Sequence, residues 1–279
     1  MLKMFIDDIR LPRQVPSLGF PTRVWHTFKY KFASSFSPIT KNERVLASLR
    51  NRHLGERAFL IGNGPSLNKI DLSLLKGEVT FGVNSIFLNA HDFHPRYYIV
   101  EDVLVAEDRS REINNYSNPE YKFFGNYLRY AIEDSANTIW LNVFFRYDNY
   151  KNFPNFSCDA LRGVWTGGTV SYLGMQLAYY MGVKELYLVG FDHNYAVPND
   201  VKRDGTRWTS QSSDINHFHP DYFGAGYRWH DPRVDRMEQA YLVARRHFEE
   251  AGRKVLNATI GGKLEVFERA NFDRLLLRR

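Results

Sequence analysis

One short turn constrains the fold of this chain more than any other feature of its sequence. Phe59 to Ile61 is an apolar run of strand type, and a turn rich in glycine and asparagine follows it at residues 62–66, ahead of a helical pattern. A strand that ends in such a turn exposes backbone N–H groups at the start of the next helix, where the partial positive charge suits a phosphate. The turn predicts either a nucleotide site or, in the plainer alternative, an ordinary strand-to-helix connection.

The residues of this turn have separate roles. Gly62 and Gly64 permit close approach of a ligand to the backbone, and Ser66 is suited to capping the helix or binding phosphate. Leu67 stands where a dinucleotide-binding fingerprint has its third glycine, and no Walker lysine follows. The turn therefore resembles a phosphate loop without matching either standard motif.

Several other apolar runs of strand type end on polar residues. The run at 79–83 ends at Asn84, the run at 97–100 ends at Glu101, and the run at 185–190 is followed by Asp192. A second glycine turn at residues 166–168 precedes a strong helical pattern over residues 170–181. Strands that each finish on polar residues fit an open parallel sheet, because ligands of such sheets bind beyond the carboxyl ends of the strands. We therefore predict an α/β, Rossmann-like, mostly parallel sheet flanked by helices.

The chain divides into three parts by composition. Residues 1–41 form an aromatic and basic arm, which either lies at an anionic membrane surface or packs on the domain or a second subunit of a homo-oligomer. Residues 42–279 form the predicted nucleotide-binding catalytic domain. Within it, residues 193–231 are polar, aromatic and without periodicity, so we predict a long lid segment there.

Composition limits the classes of partner and compartment. The formal charge of +6 suits anionic substrates, but the basic residues are dispersed, so nucleic acid is not a predicted partner. Cys158 is the only cysteine, and no apolar run reaches the length of a membrane span. We therefore expect a cytoplasmic protein, at most peripheral to the inner face of the membrane.

Two sets of residues are candidates for holding a nucleotide. Asn63 and Asn84 close consecutive strands and are suited either to binding the nucleotide or to stabilising their turns. Thr166, Gly167 and Gly168 form a second anion cradle at a helix start, or a simple capping turn.

Carboxylates and histidines are the candidates for chemistry. Glu101, Asp102 and Asp192 follow strands, where they serve as metal ligands, as acid and base, or as helix caps and ion-pair partners. In the lid, titratable residues stand at every second position, as His217, His219 and Asp221. No further Cys/His pair completes a zinc site, and histidine titrates near neutral pH, so we favour a general base over a metal ligand.

The combined pattern resembles two related families. Its main motifs are the glycine turn, Asn84, the turn at 166–168 and the strand that leads to Asp192. These resemble the bacterial sialyltransferases of glycosyltransferase family 42 and, more closely, the 6-hydroxymethylpterin diphosphokinase MptE-like domain, over roughly residues 42–277. The MptE-like domain also occurs in flagellin-glycosylation accessory factors and polysaccharide gene clusters.

The sialyltransferase resemblance implies a CMP-linked sugar donor, inverting transfer without a required cofactor, and a lid histidine as base. It assigns the base to His217 or His219, although the best local register places Asp221 opposite the family's histidine. The tyrosines that steady the donor phosphate in that family are matched only by Tyr195 and Tyr222. The acceptor would be a glycan or a lipid-linked glycan.

The MptE-like resemblance implies ATP, magnesium and pyrophosphoryl transfer to a pterin alcohol. Glu101, Asp102 and Asp192 would then be the metal candidates. The sequence has no evident Lys/Arg clamp near the glycine turn for a triphosphate, so we favour a glycosyltransferase of surface polysaccharide or glycan synthesis. A non-catalytic sugar-nucleotide-binding component of a glycan assembly complex is the third alternative.

Overall fold

Short strands and helices share the regular structure of the described residues. The computed structural model describes residues 40–89, 92–145 and 153–277. In chain order, its strands are β1 (Arg57–Ile61), β2 (Val79–Val83), β3 (Tyr97–Val100), β4 (Tyr121–Gly125), β5 (Thr138–Leu141), β6 (Val143–Phe144), β7 (Val164–Trp165), β8 (Glu185–Val189), β9 (Lys202–Asp204), β10 (Arg207–Thr209), β11 (Arg228–His230), β12 (Lys254–Asn257) and β13 (Glu268–Arg269). The helices are α1 (Lys41–Ser48), α2 (Val103–Asp108), α3 (Ser110–Asn115), α4 (Val170–Tyr180), α5 (Val234–Glu250) and α6 (Phe272–Leu276).

Eight of the described strands form one sheet, in the order β13-β12-β8-β1-β2-β3-β4-β5. Every neighbouring pair in this sheet is parallel. The chain runs outward from β1 to β5 and then returns to the other side of β1 with β8, so the strand order reverses between β1 and β8. The predicted α/β, Rossmann-like fold is confirmed.

Both faces of the central strands are covered, which explains why these strands are largely apolar runs rather than alternating ones. In β1, Ala58 and Leu60 pack into the core on the face covered by α1, α4 and α5. Phe59 and Ile61 pack into the core on the opposite face, with residues of α2, α3 and α6. Alternate side chains of one strand thus serve two separate cores.

The two longest helices begin and end close to the predicted residues. Helix α4 starts after Thr169, whose hydroxyl accepts a hydrogen bond from the backbone N–H of Ser171 at 3.4 Å. The chain leaves the helix through Gly182 at φ 88°, a conformation that favours glycine. Helix α5 lies within the predicted range of residues 232–252.

Three local expectations need correction. The helical pattern after the glycine turn forms two short 3₁₀ segments, Pro65–Lys69 and Leu72–Leu75, rather than an α-helix. The apolar run at residues 139–145, whose pattern predicts one strand, is divided between β5 and β6, and β6 pairs with β7 outside the main sheet. The lid segment, predicted to lack regular structure, contains a three-stranded antiparallel sheet in the order β11-β10-β9.

The lid segment is fixed to α2 and to the residue that follows it. Arg228 pairs with Asp108 and, at 2.8 Å, with Glu107. Arg109 is 5% exposed and donates to the backbone carbonyl oxygens of Asp221 and Tyr222. In this structure the lid segment is therefore packed against the rest of the domain.

The structure describes almost none of the predicted arm. The predicted arm, residues 1–41, lies outside the described residues apart from its last two positions. Among the helices that the structure describes, none is both long and apolar enough to span a membrane.

Candidate functional site

Four adjacent strands bring the predicted polar residues to one edge of the sheet. The strands lie in the order β8, β1, β2, β3, and their carboxyl ends lead to Asp192, Asn63, Asn84 and Glu101 respectively. This edge includes the reversal of strand order between β8 and β1, where ligands of open α/β sheets bind. These four residues therefore lie along one edge of the sheet, and their role in binding a ligand stays a prediction.

The glycines of the first turn allow close packing between two turns of the protein. A Cβ on Gly64 would lie 2.0 Å from Oδ2 of Asp192, and a Cβ on Gly62 would lie 2.8 Å from the carbonyl oxygen of Gly190. The Gly64 N–H donates to the same Gly190 oxygen at 2.9 Å. The close backbone approach seen here is therefore to the turn after β8, and the predicted approach to a phosphate stays a prediction.

Ser66 and Asp192, which were both predicted to serve a ligand, bind each other. The Ser66 hydroxyl donates to Oδ2 of Asp192 at 2.6 Å, and the Ser66 N–H lies 3.2 Å from both carboxylate oxygens. The position predicted for a phosphate thus holds the protein's own carboxylate. A ligand phosphate at this turn would have to share or replace these hydrogen bonds.

Asn63 and Asn84 meet around the hydroxyl of Tyr222. The Asn63 Nδ2 group donates at 2.9 Å both to the Val83 carbonyl and to the Tyr222 hydroxyl oxygen. Tyr222 is 1% exposed, so its ring is part of the wall rather than a free contact for a ligand. The Oδ1 atoms of Asn63 and Asn84 are buried and make no hydrogen bond within the described residues. Buried polar atoms without partners are costly and are a feature of functional sites.

His217 stacks on Tyr222 and is oriented by a carboxylate. The two rings lie 4.0 Å apart at an angle of 5°, and His217 Nδ1 lies 2.7 Å from Oδ2 of Asp214. Asp214 also accepts hydrogen bonds from the backbone N–H groups of Asn216, at 2.7 Å, and Phe223, at 2.9 Å. An ionised Asp214 accepts a hydrogen bond from a protonated Nδ1 of His217. Nε2 of the neutral ring then carries the lone pair and can accept from a ligand.

The charge of Asp214 is stabilised by this arrangement. Burial by itself would raise the pKa of Asp214, but the hydrogen bonds from His217 and the two backbone N–H groups outweigh that effect. The pKa of Asp214 consequently lies below its ordinary value of 3.8. Sequence reasoning missed Asp214, and the available signal was an aspartate three residues before a histidine in the lid.

His219 and Asp221 do not join this pair. The chain turns between them, with the Tyr222 N–H donating to the His219 carbonyl at 3.0 Å. His219 lines a separate small pocket with Phe218 and Leu67, and the side chain of Asp221 is 73% exposed. The predicted cluster of three is therefore reduced to His217, and a catalytic role for the other two has no support from their positions.

The second glycine turn contributes fewer residues than predicted. Thr166 is 4% exposed, and its N–H donates to the Phe144 carbonyl at 2.9 Å, so it joins β7 to β6. A Cβ on Gly167 would lie 2.5 Å from the ring of Tyr172. Gly168 is exposed at the site, and Thr169, which the predictions omitted, follows it as the cap of α4.

Two adjoining cavities occupy the space between the strand ends and the lid segment. The larger encloses about 900 Å³ and the smaller about 600 Å³, in both cases including space open to solvent. The smaller cavity lies over the turns after β1 and β8, and the larger lies over the end of β3 and against the lid. The residues that line both are Asn84, Thr169, Val170, Tyr195, Asn216 and His217. His217 and Tyr195 are therefore placed to contact ligands in either cavity.

Glu101 is the most perturbed acid of the larger cavity. Burial, with a smaller effect from the nearby charge of Asp102, raises the pKa of the Glu101 carboxyl to about 7 against the lowering effect of Arg236. Asp102 itself caps α2 by accepting from the Leu104 N–H at 2.7 Å. A carboxyl that titrates near neutral pH in a cleft is suited to acid–base chemistry.

A divalent cation would find two of the three predicted carboxylates together. Glu101 and Asp102 both line the larger cavity, whereas Asp192 lies at the smaller cavity and is bound to Ser66. Among the residues that the structure describes, no three His, Cys, Asp or Glu side chains are grouped to hold a metal ion. Since Mg²⁺ commonly takes one or two carboxylates and completes its shell with phosphates and water, the pair fits a magnesium ion that arrives with a nucleotide.

Comparison with known proteins gives a family. No curated protein matches the chain. The model of the family described as 6-hydroxymethylpterin diphosphokinase MptE-like matches residues 31–197, which is more than half of the chain. The match includes the strand ends from β1 to β8 and stops before Asp214 and His217. The chain belongs to the 6-hydroxymethylpterin diphosphokinase MptE-like family.

Proposed function

We propose that the protein is a transferase that moves a group from a nucleotide donor to a hydroxyl and releases a nucleoside monophosphate. The observation that carries the proposal is the Asp214–His217 pair, whose histidine lines both cavities at the strand ends. The family name indicates a group transferase in general terms. The identity of the transferred group is the finer part of the proposal.

His217 is the general base of this mechanism. Its Nε2 atom takes the proton of the acceptor hydroxyl as that oxygen attacks the donor. Asp214 accepts the hydrogen bond from Nδ1, which lies 2.7 Å from its Oδ2 atom, and stabilises the imidazolium that forms, as in other histidine–carboxylate pairs. Stacking on Tyr222 fixes the plane of the ring.

The departing nucleotide is stabilised at the first turn of α4. Thr169, Val170 and Ser171 line the smaller cavity, and the helix presents its positive end there. Negative charge builds on the leaving phosphate as the bond to the donor group breaks, so this dipole favours the transition state. Asn63 and Asn84 complete the nucleotide side of the site.

A CMP-linked sugar is the donor that we favour. Of the described residues that line the two cavities, none is a lysine or an arginine, so a triphosphate would meet little positive charge. A CMP-sugar carries one phosphate and places the smallest demand on the site. The resemblance to family 42 sialyltransferases, which place a base in the lid, supports the same donor.

ATP is the second candidate donor, with pyrophosphoryl transfer to an alcohol and release of AMP. The Glu101–Asp102 pair favours it, because two carboxylates in one cavity suit a magnesium ion bound to phosphates. That ion would supply neutralisation of phosphate charge, and Glu101 and Asp102 would hold it. His217 would deprotonate the alcohol in this reaction as well.

A thermal-shift screen tests the donor. A ligand that binds only the folded state raises the Tm, so CMP, CMP-sialic acid, and ATP with and without magnesium are compared. We expect a shift with the cytidine ligands in the absence of metal. A shift confined to ATP with magnesium would transfer the proposal to pyrophosphoryl transfer, and no shift with any nucleotide would overturn both.

Paired histidine substitutions test the base. His217→Gln should lower turnover of the bound donor by about 10²–10⁴-fold, the contribution of a general base, while donor binding is retained. His219→Gln is the matched control, because His219 lies in a separate pocket. Equal loss in the two variants, or loss in neither, would contradict the role of His217.

A further inference from the structure

We propose that the larger cavity is the acceptor subsite and that it selects a hydroxyl compound without negative charge, either neutral or cationic. This inference rests on the proposed function, because it assigns the smaller cavity to the donor nucleotide. Its support comes from the position of His217, from the charges of the cavity and from its aromatic walls.

The position of His217 separates the two substrates. A base that activates an acceptor must contact the acceptor hydroxyl while that oxygen faces the donor. His217 lines both cavities, and the glycine turn with Asn63 lines only the smaller one. With the nucleotide over the strand ends, the acceptor has the larger cavity and reaches His217 from the side of the lid segment.

The larger cavity carries an excess of negative groups. Its lining includes the carboxylates Glu101, Asp102 and Asp231 in addition to the paired Asp214, and of its described lining residues none is lysine or arginine. His230 lies near Asp102, with Nε2 3.7 Å from Oδ1. Arg236 packs beside Gly168 at the margin of the site and is close enough to act on Glu101. An acceptor carboxylate or phosphate in this cavity would face repulsion from several sides.

The Glu101 carboxylate is the group best placed to receive an acceptor. It lines the cavity and makes no hydrogen bond or ion pair within the described part of the chain. A carboxylate in that position accepts hydrogen bonds from hydroxyl or amino groups, and an ammonium group would also satisfy its charge. The acceptor would thereby supply the hydrogen-bond donor that the Glu101 carboxylate lacks among the described residues.

The remaining walls are aromatic and apolar. Trp229, Phe223 and Tyr195 line the cavity, together with Ile215 and Met237. Trp229 is 7% exposed and is held by a hydrogen bond from Nε1 to the Ser210 hydroxyl at 3.0 Å. Fixed aromatic faces of this kind pack against the flat apolar side of a ring. A ring-shaped acceptor with polar groups on its edge fits both features.

Three matched sugars test the charge selection. D-glucose, 6-amino-6-deoxy-D-glucose and D-glucuronate differ only at C6, and their binding to the CMP-saturated protein is measured by ligand-observed NMR at about pH 8, where carboxylates are ionised. We expect the amino sugar to bind at least about tenfold more tightly than glucuronate, with glucose between them. Tighter or equal binding of glucuronate, or no binding of any of the three, would overturn the inference.

Two variants connect the selection to Glu101. Glu101→Gln should clearly reduce the ratio between the amino sugar and glucuronate, with the remaining carboxylates Asp102 and Asp231 keeping it above one, and Glu133→Gln, on the exposed surface, should leave it unchanged. An unchanged ratio in Glu101→Gln would refute the assignment to this carboxylate. The CMP shift is recorded separately, so a failed donor result counts against the proposed function and a failed sugar result counts against the acceptor subsite.

Discussion

Asp214→Asn is the substitution that most directly tests the geometry of the site. The carboxylate of Asp214 accepts three hydrogen bonds and has no position for a donor: Oδ1 accepts from the Asn216 N–H, and Oδ2 accepts from His217 and the Phe223 N–H. The asparagine side chain replaces one oxygen by an NH₂ group. In either orientation that group faces a backbone N–H, which then loses its acceptor.

The expected cost follows from that count. One buried backbone donor left without an acceptor costs about 1–3 kcal/mol of the free energy of unfolding. The side chain of Asp214 is 4% exposed, so water does not replace the lost hydrogen bond. For a domain of this size the loss corresponds to a fall of roughly 3–9 °C in Tm. The orientation with NH₂ towards Asn216 loses only one bond and keeps the proton on Nδ1 of His217.

The effect of Asp214→Asn should depend on pH in a defined direction. The pKa of Asp214 is lowered in the folded state, so its stabilising effect is present above its ordinary value of 3.8 and is lost as the pH falls through the folded-state pKa. The difference in stability between wild type and variant should be full at neutral pH and shrink below about pH 3.8. Urea unfolding at a series of pH values measures it.

Turnover gives the second readout. Without the negative charge beside the imidazolium, we expect turnover to fall by at least about 100-fold, the lower end of the contribution of a general base. Asp235→Asn is the control, since Asp235 is exposed on α5 and pairs with Arg233. An Asp214→Asn variant with wild-type Tm would refute the hydrogen-bond geometry. Reduced Tm with unchanged turnover would refute the catalytic use of the pair.

Two further substitutions test the supports of the site. Gly64→Ala should destabilise the fold by about 1–3 kcal/mol, because the new Cβ would lie 2.0 Å from Oδ2 of Asp192, and urea unfolding measures this. Adding Asp192→Ala should restore part of the loss, and a purely additive double variant would argue against the clash. Arg109→Ala should detach the lid segment, since Arg109 binds the Tyr222 carbonyl and lies 3.8 Å from the centre of the Tyr227 ring. Limited proteolysis should then cleave within residues 193–231 faster than in the wild type, and an unchanged pattern would show that other contacts hold the lid.

The sheet was predictable because its strands carry two independent signals. The runs that became β1, β2, β3 and β8 are predominantly apolar, and each is followed by a polar residue or a glycine. Burial on both faces produces the first signal, and the functional edge of a parallel sheet produces the second. These signals are local in sequence, so no knowledge of distant contacts was needed.

The lid segment was not predictable at the same level. Its strands β9, β10 and β11 have only three residues each, and β9 is exposed along its whole length. The sheet is held by contacts between distant residues, such as Trp208 and Trp229, whose rings lie 4.9 Å apart. Such short strands have too few residues to show a period of two.

The site shows why residue type is easier to predict than partnership. His217 was identifiable as a titratable group in a functional segment, but the choice of Asp214 as its partner depends on an irregular turn. Ser66 is predicted to cap a helix or bind phosphate, and Asp192 to serve catalysis, a metal or a cap. The fold brings the two together from positions 126 residues apart. A sequence identifies donors and acceptors, whereas only the fold shows which of them satisfy each other.

The attachment of His217 to the lid segment has a consequence for how such proteins diversify. In the proposed function, the ends of β1, β2 and β8 form the nucleotide side of the site, whereas the base comes from the segment after β8, which contacts α2 and Arg109. The family match likewise ends at residue 197, before Asp214 and His217. Under this proposal, a different segment after β8 would change the acceptor and the chemistry while the cavity over the strand ends is kept.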